Sequence, residues 1–575
     1  MSSENIYYCK TVIHDPMYKS WSFMDRDSLC EITIADIHPA KHKLFDQDVF
    51  MYDSESKKIT LQDSAVRTCK SFAGILILER NKTYGRTKNK KRLLYKCIPD
   101  DKRLPAFLIP YAPTIGFSKM QKNKYVTFKF DHWEDQHPHG GLVGVLGEVD
   151  QLEIFYEYQL YCKHLHISFT PFINATREKL ALFSEEEYVK MILENPTFAI
   201  EDRRHITNIF SIDPENSIDI DDAFSIRTNE DNTFSFTVYI ANVFVWIETL
   251  GLWNSFSDRI STIYFPDRKN NMLPHILSDD LCSLLENKNR FAFAMDITMN
   301  ANGDIDNISY HNVLISVSKN YRYEEHDLLR DSDYHTLLKI TRALDKSIAD
   351  SHDVVSYWMI KMNSICGEFM SSKQIGIFRH SHQKQSENIL EEIPNLNLSS
   401  QRMIRLWKNI SCKYVLYDPN IDLTHDAMNI KQYIHITSPI RRIVDVLNQI
   451  WFICTMNVEI SADAQNFLDH WRYRMDYINT SMRSIRKIQT ECELLHHCYM
   501  NPHVLTTNHR GVIFDKWNKS DGMFEYMVYL EDLKLLSRMK TPIEFDNYTM
   551  GDFKVYLFED EYSLKKKVRI QYIDI

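Results

Sequence analysis

Apolar residues along this chain alternate between two rhythms. Over residues 1 to about 90 they come in short runs, such as Ile32–Ile37, Asp48–Tyr52 and Phe72–Leu78, parted by turn-formers and charges. That rhythm predicts a small all-β domain. Residues 104 to about 175 repeat it at Ala106–Ile109, Tyr125–Phe130, Leu142–Leu146 and Glu153–Tyr158, with the turns HPHGG and LGEVD between. A second small β-barrel is predicted there. Residues 176 to 200 read as helical and lead into a strand at His205–Ile212. Strands such as Thr233–Ile240 and Arg290–Met299 then dominate up to about 320.

Helices follow. Trp358, Met362, Ile365 and Phe369 recur at spacings of three and four within Val354–Met370, which is one face of a helix. Residues 462 to 498 read as one long helical stretch carrying Arg483, Arg486 and Lys487. The strand rhythm returns at Gly511–Phe514, Met523–Leu530, Asp552–Phe558 and Val568–Ile573, which predicts a third barrel. The expected domains are 1–90, 91–175, 176–500 and 501–575. A length of 575 residues agrees, since roughly 150 residues per domain gives about four.

Composition narrows the chemistry. Only 14 residues are Gly, and neither a P-loop nor a GxGxxG motif occurs. The formal net charge is −10, so a nucleic-acid partner needs a local basic surface. Residues 81–103 offer one, with nine Lys or Arg. They read either as a solvated hairpin or as a backbone-binding loop with Tyr84 and Tyr95 for stacking. The 11 cysteines are scattered without CxxC or zinc spacing, as in a reducing cytoplasmic or nuclear compartment. The N-terminus has no signal-peptide pattern, and no apolar run reaches the length of a membrane span.

The stretch Ser211–Phe224, SIDPENSIDIDDAF, concentrates the candidate chemistry. Asp213, Asp219, Asp221 and Asp222 fall within ten residues, among Ile212, Ile218, Ile220, Ala223 and Phe224. Crowded carboxylates repel, and burial penalises each charge further. Such a group stays ionised when a cation neutralises it, and a hard divalent ion with oxygen ligands suits it. An EF-hand loop is excluded, because no Gly lies between Asp213 and Phe224. An ordinary acidic turn before a strand stays open on this stretch alone.

A second constellation is HITSPIRR, His435–Arg442. Ser438 followed by Pro439 predicts a helix start, with Ser as cap and Pro in the first turn. Arg441 and Arg442 would then sit in that turn, where cations are unfavourable unless an anion such as a phosphate is bound. A capped amphipathic helix with two solvated arginines is the alternative.

Together and in this order, the two constellations resemble the RNase II/RNase R (RNB) family of 3′→5′ exoribonucleases. That family carries a D-x5-D-x-D-D motif and, further along, a histidine, one residue, T-S-P-I-R-[RK] and an Asp. Here these are Asp213, Asp219, Asp221, Asp222, then His435, Thr437–Arg442 and Asp445. IYFPDR (263–268), MLP (272–274), LS (277–278), LCSL (281–284), FAFAMDI (291–297), Tyr323, Asn363 and His425 also match. CIPDDKRLP (97–105), residues 130–153 and RRHITNIFSIDP (203–214) look most like eukaryotic exosome-type members. Three positions depart: Asn242 stands where the family has Asp, Asn448-Gln449 replaces His-Arg, and either Gln489 or Glu491 fills a family Glu/Gln position.

The resemblance implies a multidomain fold: an α/β catalytic domain flanked by three OB folds, two of them cold-shock-type and N-terminal. With the OB-like part starting near Met1, no N-terminal endonuclease domain is expected. It implies Mg²⁺, one ion or two, with Mn²⁺ as a substitute, on Asp213, Asp219, Asp221 and Asp222, and Asp221 needed for chemistry. Arg441 would neutralise the scissile phosphate. Tyr323 would stack on the terminal base, and Tyr264 would clamp the strand further out. Arg379, His435, Ser438, Arg441 and Arg442 would also contact RNA. The implied activity is processive 3′→5′ decay of single-stranded RNA to nucleoside 5′-monophosphates by a monomeric catalytic unit, with RNA-decay complex partners and no membrane. A catalytically inactive RNA-binding or scaffold relative, and a metal enzyme acting on DNA, are the rival classes.

Overall fold

A computed structural model of the chain describes residues 6–573, apart from 35, 113–120, 232, 301–303, 381–395, 411, 520 and 561–563. The chain divides into two compact units, one of residues 1–166 with 490–575, the other of residues 167–489.

The first unit is built from three β elements. The N-terminal one is a five-stranded sheet in the order Glu31–Ile32, Trp21–Asp25, Ile6–Ile13, Val49–Asp53, Lys58–Asp63. The second is a closed barrel of Phe72–Leu76, Leu93–Pro99, Phe107–Tyr111, Lys124–His132 and His139–Glu148. A single parallel pair, His139 with Leu108, completes the ring. Closure leaves no unpaired strand edge to template pairing with another chain. Gly74 lets the barrel close tightly: a Cβ there would lie 2.9 Å from Cys97 Sγ, Ile98 O and the Phe128 ring. The third element is a five-stranded sheet of Asn508–Asn518, Phe524–Leu530, Leu535–Thr541, Met550–Glu559 and Lys566–Ile573. Two ion pairs tie it to the barrel side, Lys565–Asp100 and Lys102–Asp560, both at 2.9 Å.

Several elements differ from the sequence expectation. Strand Phe72–Leu76 pairs within the barrel, not within the N-terminal sheet. The run Ile32–Ile37 yields only the two-residue strand Glu31–Ile32. Glu153–Tyr158, expected as a strand, lies in the helix Leu152–Cys162. Its apolar run EIFYEY fits either period, and the helix buries Phe155, Tyr156, Tyr158 and Leu160. The strand Leu535–Thr541 lies outside the expected runs, its LLSRMKT pattern being short and broken by charge.

The second unit is organised by a seven-stranded mixed sheet. Its order is Ile200–Asp202, Ile305–Ser316, Asn289–Met299, Phe234–Ala241, Asp222–Thr228, Phe210–Asp213, Lys319–Arg322. The two edge strands run parallel to their neighbours, and the rest are antiparallel. Helices Ser332–Leu344 and Ser351–Ser372 cover one face. Their Tyr334, Leu337, Trp358 and Met362 pack with Phe210, Phe224, Phe236, Val238 and Met295 of the sheet. The Trp358 ring lies 4.4 Å from the Phe236 ring, and its Nε1–H donates to Thr341 Oγ1 at 2.9 Å, so its polar edge is also satisfied. The stretch 462–498 is two helices, Ala462–Arg472 and Met475–Met500, broken at Tyr473 and Arg474.

The strand expected at His205–Ile212 forms only over Phe210–Asp213. The short strand therefore ends on the first aspartate, and the next strand begins on the last, Asp222. The sheet alone thus brings the two ends of the acidic stretch to one edge of the fold. Among the described residues, no helix is long and apolar enough to cross a membrane. All eleven cysteines are free.

Candidate active site

The loop between those two strands is pinned from behind. Ile220 N–H donates to Ser283 Oγ at 2.9 Å, and Ser283 Oγ donates to Ile218 O at 2.8 Å. Leu284 N–H donates to Ile220 O, and Ala241 N–H to Asp221 O. These bonds fix the backbone at the buried Ile220, between Asp219 and Asp221.

Each aspartate has a different neighbourhood. Asp221 is 2% exposed and accepts from Ile440 N–H and Arg441 Nε, both at 3.0 Å. Burial pushes its carboxyl up to about 7 against the pull of Arg441 and the Ile440 N–H. Asp219 accepts from Lys269 Nζ at 2.9 Å and from Tyr264 OH at 3.1 Å, one donor on each oxygen. Asp213 and Asp222 are served least. Oδ2 of each is buried without a hydrogen-bond partner. Burial raises Asp213 to about 6, and burial with the charges of Asp213 and Asp221 raises Asp222 well above the usual carboxylate range.

The sequence reading put all four carboxylates on metal. In the structure no three of them bring ligand oxygens within 4.8 Å of one another. Asp219 and Asp221 each pair with a side-chain cation, Lys269 and Arg441. The described group that does meet this spacing is Asp350, His352 and Asp353, where Arg402 already bridges the two carboxylates at 2.9 and 2.6 Å. A divalent ion fits the Asp213–Asp222 pair, because two buried oxygens there lack any partner.

Arg441 does not lie in a helix. The helix expected to start at Ser438 starts at Ile443, with Arg442 as the preceding cap residue. Ser438 to Arg442 form turns, with the Arg441 and Arg442 N–H groups donating to Ser438 O. Ser438 N–H donates to Asp445 Oδ1 at 2.7 Å, so the first-turn carboxylate reaches back to the turn and holds it against the helix end. Arg442 is anchored by the same oxygen at 2.8 Å. Arg441 remains 45% exposed at its side chain and carries the loop's free cationic edge toward the acidic group. Ser438 Oγ accepts from Arg441 Nη2 at 3.1 Å and sets its plane.

The aromatic residues lie nearby. Tyr323 follows the edge strand, its N–H donating to Asp213 O at 3.1 Å. Burial, then the charges of Asp222 and Asp213, pushes its hydroxyl above the usual range. Tyr264 is 40% exposed beside Asp219. His435 and Arg379 are buried. Burial and the neighbouring Arg442 and Arg379 charges keep His435 far below its usual range, hence neutral. Its Nδ1 lies 2.7 Å from Tyr414 OH and 3.3 Å from Arg442 Nη1, so Nδ1 accepts and the proton sits on Nε2. Arg379 stacks over the Tyr414 ring at 5.1 Å. Arg379, His435 and Ser438 are each under 8% exposed and touch protein groups, while Arg441 and Tyr264 present open surface.

The departures at 242 and 448–449 are filled by satisfied buried polar groups. Asn242 caps the helix Val243–Leu250, and its Nδ2 donates to Asn312 Oδ1 at 3.0 Å. Asn448 holds Ile377 N–H and O and the His435 carbonyl. Gln449 Nε2 donates to Ala241 O at 2.9 Å. Sequence reasoning missed Lys269, Asp279 and Tyr414. Lys269 falls between the recognised IYFPDR and MLP segments, and only its pairing in space marks it.

Residues 201–346 and 330–453 match the RNB domain family, and residues 94–158 match the Dis3-like cold-shock domain 2. Residues 201–453 thus carry an RNB domain. The chain is 28% identical over 281 residues to a probable exosome complex exonuclease RRP44 of Caenorhabditis elegans, covering 47% of this chain and 27% of that protein. It is 21% identical over 422 residues to ribonuclease R of Chlamydia pneumoniae, covering 59% of this chain and 60% of that one. The matches thus span between about a quarter and three fifths of these relatives. The fold is that of Mycoplasma genitalium RNase R, solved in complex with ribose-methylated single-stranded RNA. The TM-score is 0.66 at 15% identity, over 99% of this chain and 100% of that one.

Proposed function

We propose that this protein is a divalent-metal-dependent 3′→5′ exoribonuclease acting on single-stranded RNA. The observation that carries the reading is the buried, unpartnered Asp213–Asp222 oxygen pair beside a half-exposed Arg441 that Asp221 holds in place. The RNB domain supports the reaction class, and the cold-shock-type barrel supports a strand as substrate. A bound Mg²⁺ would activate water and stabilise the leaving 3′ oxygen. Asp213 and Asp222 would hold it. Arg441, anchored by Asp221 and Ser438, aims its guanidinium edge at a scissile phosphate and neutralises charge that builds there. Tyr323 and Tyr264 flank the acidic group on two sides, positions suited to stacking on the terminal base and gripping the strand. The Ser438–Asp445–Arg442–His435 network acts behind Arg441 and keeps its loop rigid. Products would be nucleoside 5′-monophosphates, released processively. Mn²⁺ would substitute for Mg²⁺. The protein would work as a monomeric catalytic unit in a cytoplasmic or nuclear compartment, with RNA-decay partners.

One observation favours a second reading, an RNA-binding member without activity. Lys269 and Arg441 already neutralise Asp219 and Asp221. End-labelled single-stranded RNA and DNA oligomers, incubated with Mg²⁺ and with EDTA, separate the readings. Stepwise shortening of RNA from the 3′ end, abolished by EDTA, supports the first. Binding without shortening supports the second. Internal cleavage, or equal decay of DNA, overturns both.

A further inference from the structure

Tyr264 and Lys269 are direct partners across the two-stranded ribbon Ile263–Tyr264 and Lys269–Asn270. Both reach the same carboxylate: Tyr264 OH takes Asp219 Oδ2, and Lys269 Nζ takes Asp219 Oδ1. Lys269 does not swing freely. Its Nζ is also 2.9 Å from Asp279 Oδ1, and its side chain is 18% exposed. Asp279 is itself fixed by Ser278 Oγ at 2.7 Å, His275 Nδ1 at 2.8 Å and Asn271 Nδ2 at 3.2 Å. The ammonium is therefore clamped between two carboxylates, one in the acidic loop and one outside it.

We infer that Lys269 is a built-in cation that occupies the outer half of the acidic centre, so that the centre takes one divalent ion, on Asp213 and Asp222, and not two. This rests on the metal-dependent reading above and goes beyond it in fixing the number of ions and the residue that sets it. The ion pairing supports it. Lys269 stands on Asp219 and Arg441 on Asp221, which leaves Asp213 and Asp222 without a side-chain cation. The two carboxylates that lack a side-chain cation are also the two with an unpartnered buried oxygen. A second ion at Asp219 would have to displace an ammonium already desolvated and doubly paired, which costs more than displacing water. Lys269 acts through Asp219 and is a positioning residue.

The test counts ions on the full chain. Mn²⁺ is titrated by calorimetry, and free Mn²⁺ is read by electron paramagnetic resonance, for the unchanged protein, Lys269→Gln, Lys269→Arg and Asp213→Asn. One Mn²⁺ per chain is expected for the unchanged protein and for Lys269→Arg, none tight for Asp213→Asn, and a second, spin-coupled Mn²⁺ for Lys269→Gln. Two Mn²⁺ on the unchanged protein would overturn the inference and leave the metal reading standing. No Mn²⁺ on the unchanged protein would overturn the metal reading itself. A Lys269→Gln protein that folds, by its circular dichroism, yet still binds only one ion would show that Lys269 does not set the count. The count on the unchanged protein decides the matter even where that variant fails to fold.

Discussion

Asp221 holds Arg441 by one oxygen and the adjoining backbone by the other: Arg441 Nε donates to Oδ2 and Ile440 N–H to Oδ1, each at 3.0 Å. The carboxylate is 2% exposed and the arginine is 45% exposed. A buried anion thus fixes the angle of a cation that solvent and substrate can reach. Asp221→Asn keeps the shape but removes the charge and one acceptor. RNA decay is expected to fall on the order of 10³-fold, the scale of losing one fixed electrostatic contact to the reacting group. RNA affinity should stay within a few-fold. Single-turnover decay and binding, measured on the same variant, check this. Retained decay would remove Asp221 from the mechanism.

The metal's effect on stability should depend on pH. Burial raises Asp213 to about 6, and burial with neighbouring charge raises Asp222 further. Unfolded aspartates titrate near about 4. Between those values the folded, metal-free protein holds protons that the unfolded chain has released. Its stability from these groups is present at low pH and lost as pH rises through about 6 and beyond. A divalent ion takes the place of those protons. The rise in Tm on adding Mg²⁺ should therefore be larger at about pH 8 than at about pH 5. Equal shifts at both would mean that the ion binds elsewhere.

Asn242 is fully buried and uses both ends of its amide, accepting from Val245 N–H and donating to Asn312. Asn242→Asp replaces the amide by a carboxylate and sets it against Asn312 Oδ1. A loss of about 1–3 kcal/mol is expected, because a buried acceptor then faces an acceptor. Urea unfolding at neutral pH measures it, and an unchanged midpoint would show that Asn312 turns to compensate.

Gly367 lies where the helix Ser351–Ser372 meets the backbone of residues 432 and 433. A Cβ there would stand 2.7 Å from Gln432 O. Gly367→Ala must push that segment away, and the segment leads directly into His435 and Ser438. Both Tm and single-turnover decay should drop, with Mn²⁺ affinity unchanged because the aspartates lie on other strands. Weakened Mn²⁺ binding would contradict that separation.

The basic hairpin is open to a direct test. Lys88, Lys90, Lys91 and Arg92 are exposed, and Lys88 pairs with the surface residue Glu134 at 2.9 Å. Neutralising the four together should weaken RNA binding and flatten its dependence on salt, as counterion release requires. An unchanged slope would assign the hairpin to solvent.

The local order of this chain was legible without coordinates. Strand periodicity located the sheets. Helical spacing located Val354–Met370, since a buried stripe repeats wherever a helix lies on a core. The four aspartates and HITSPIRR were legible because each is a dense, unusual run of residues. Tertiary structure decided what those residues touch. It turned Asp221 to Arg441, some 220 positions away, and it turned Asp219 to Lys269, which has no pattern of its own. It moved the helix start from Ser438 to Ile443, because Asp445 captures the Ser438 N–H from inside the helix. A sequence displays the charges that must be neutralised; which cation neutralises each depends on distances between strands and loops that only the folded chain sets.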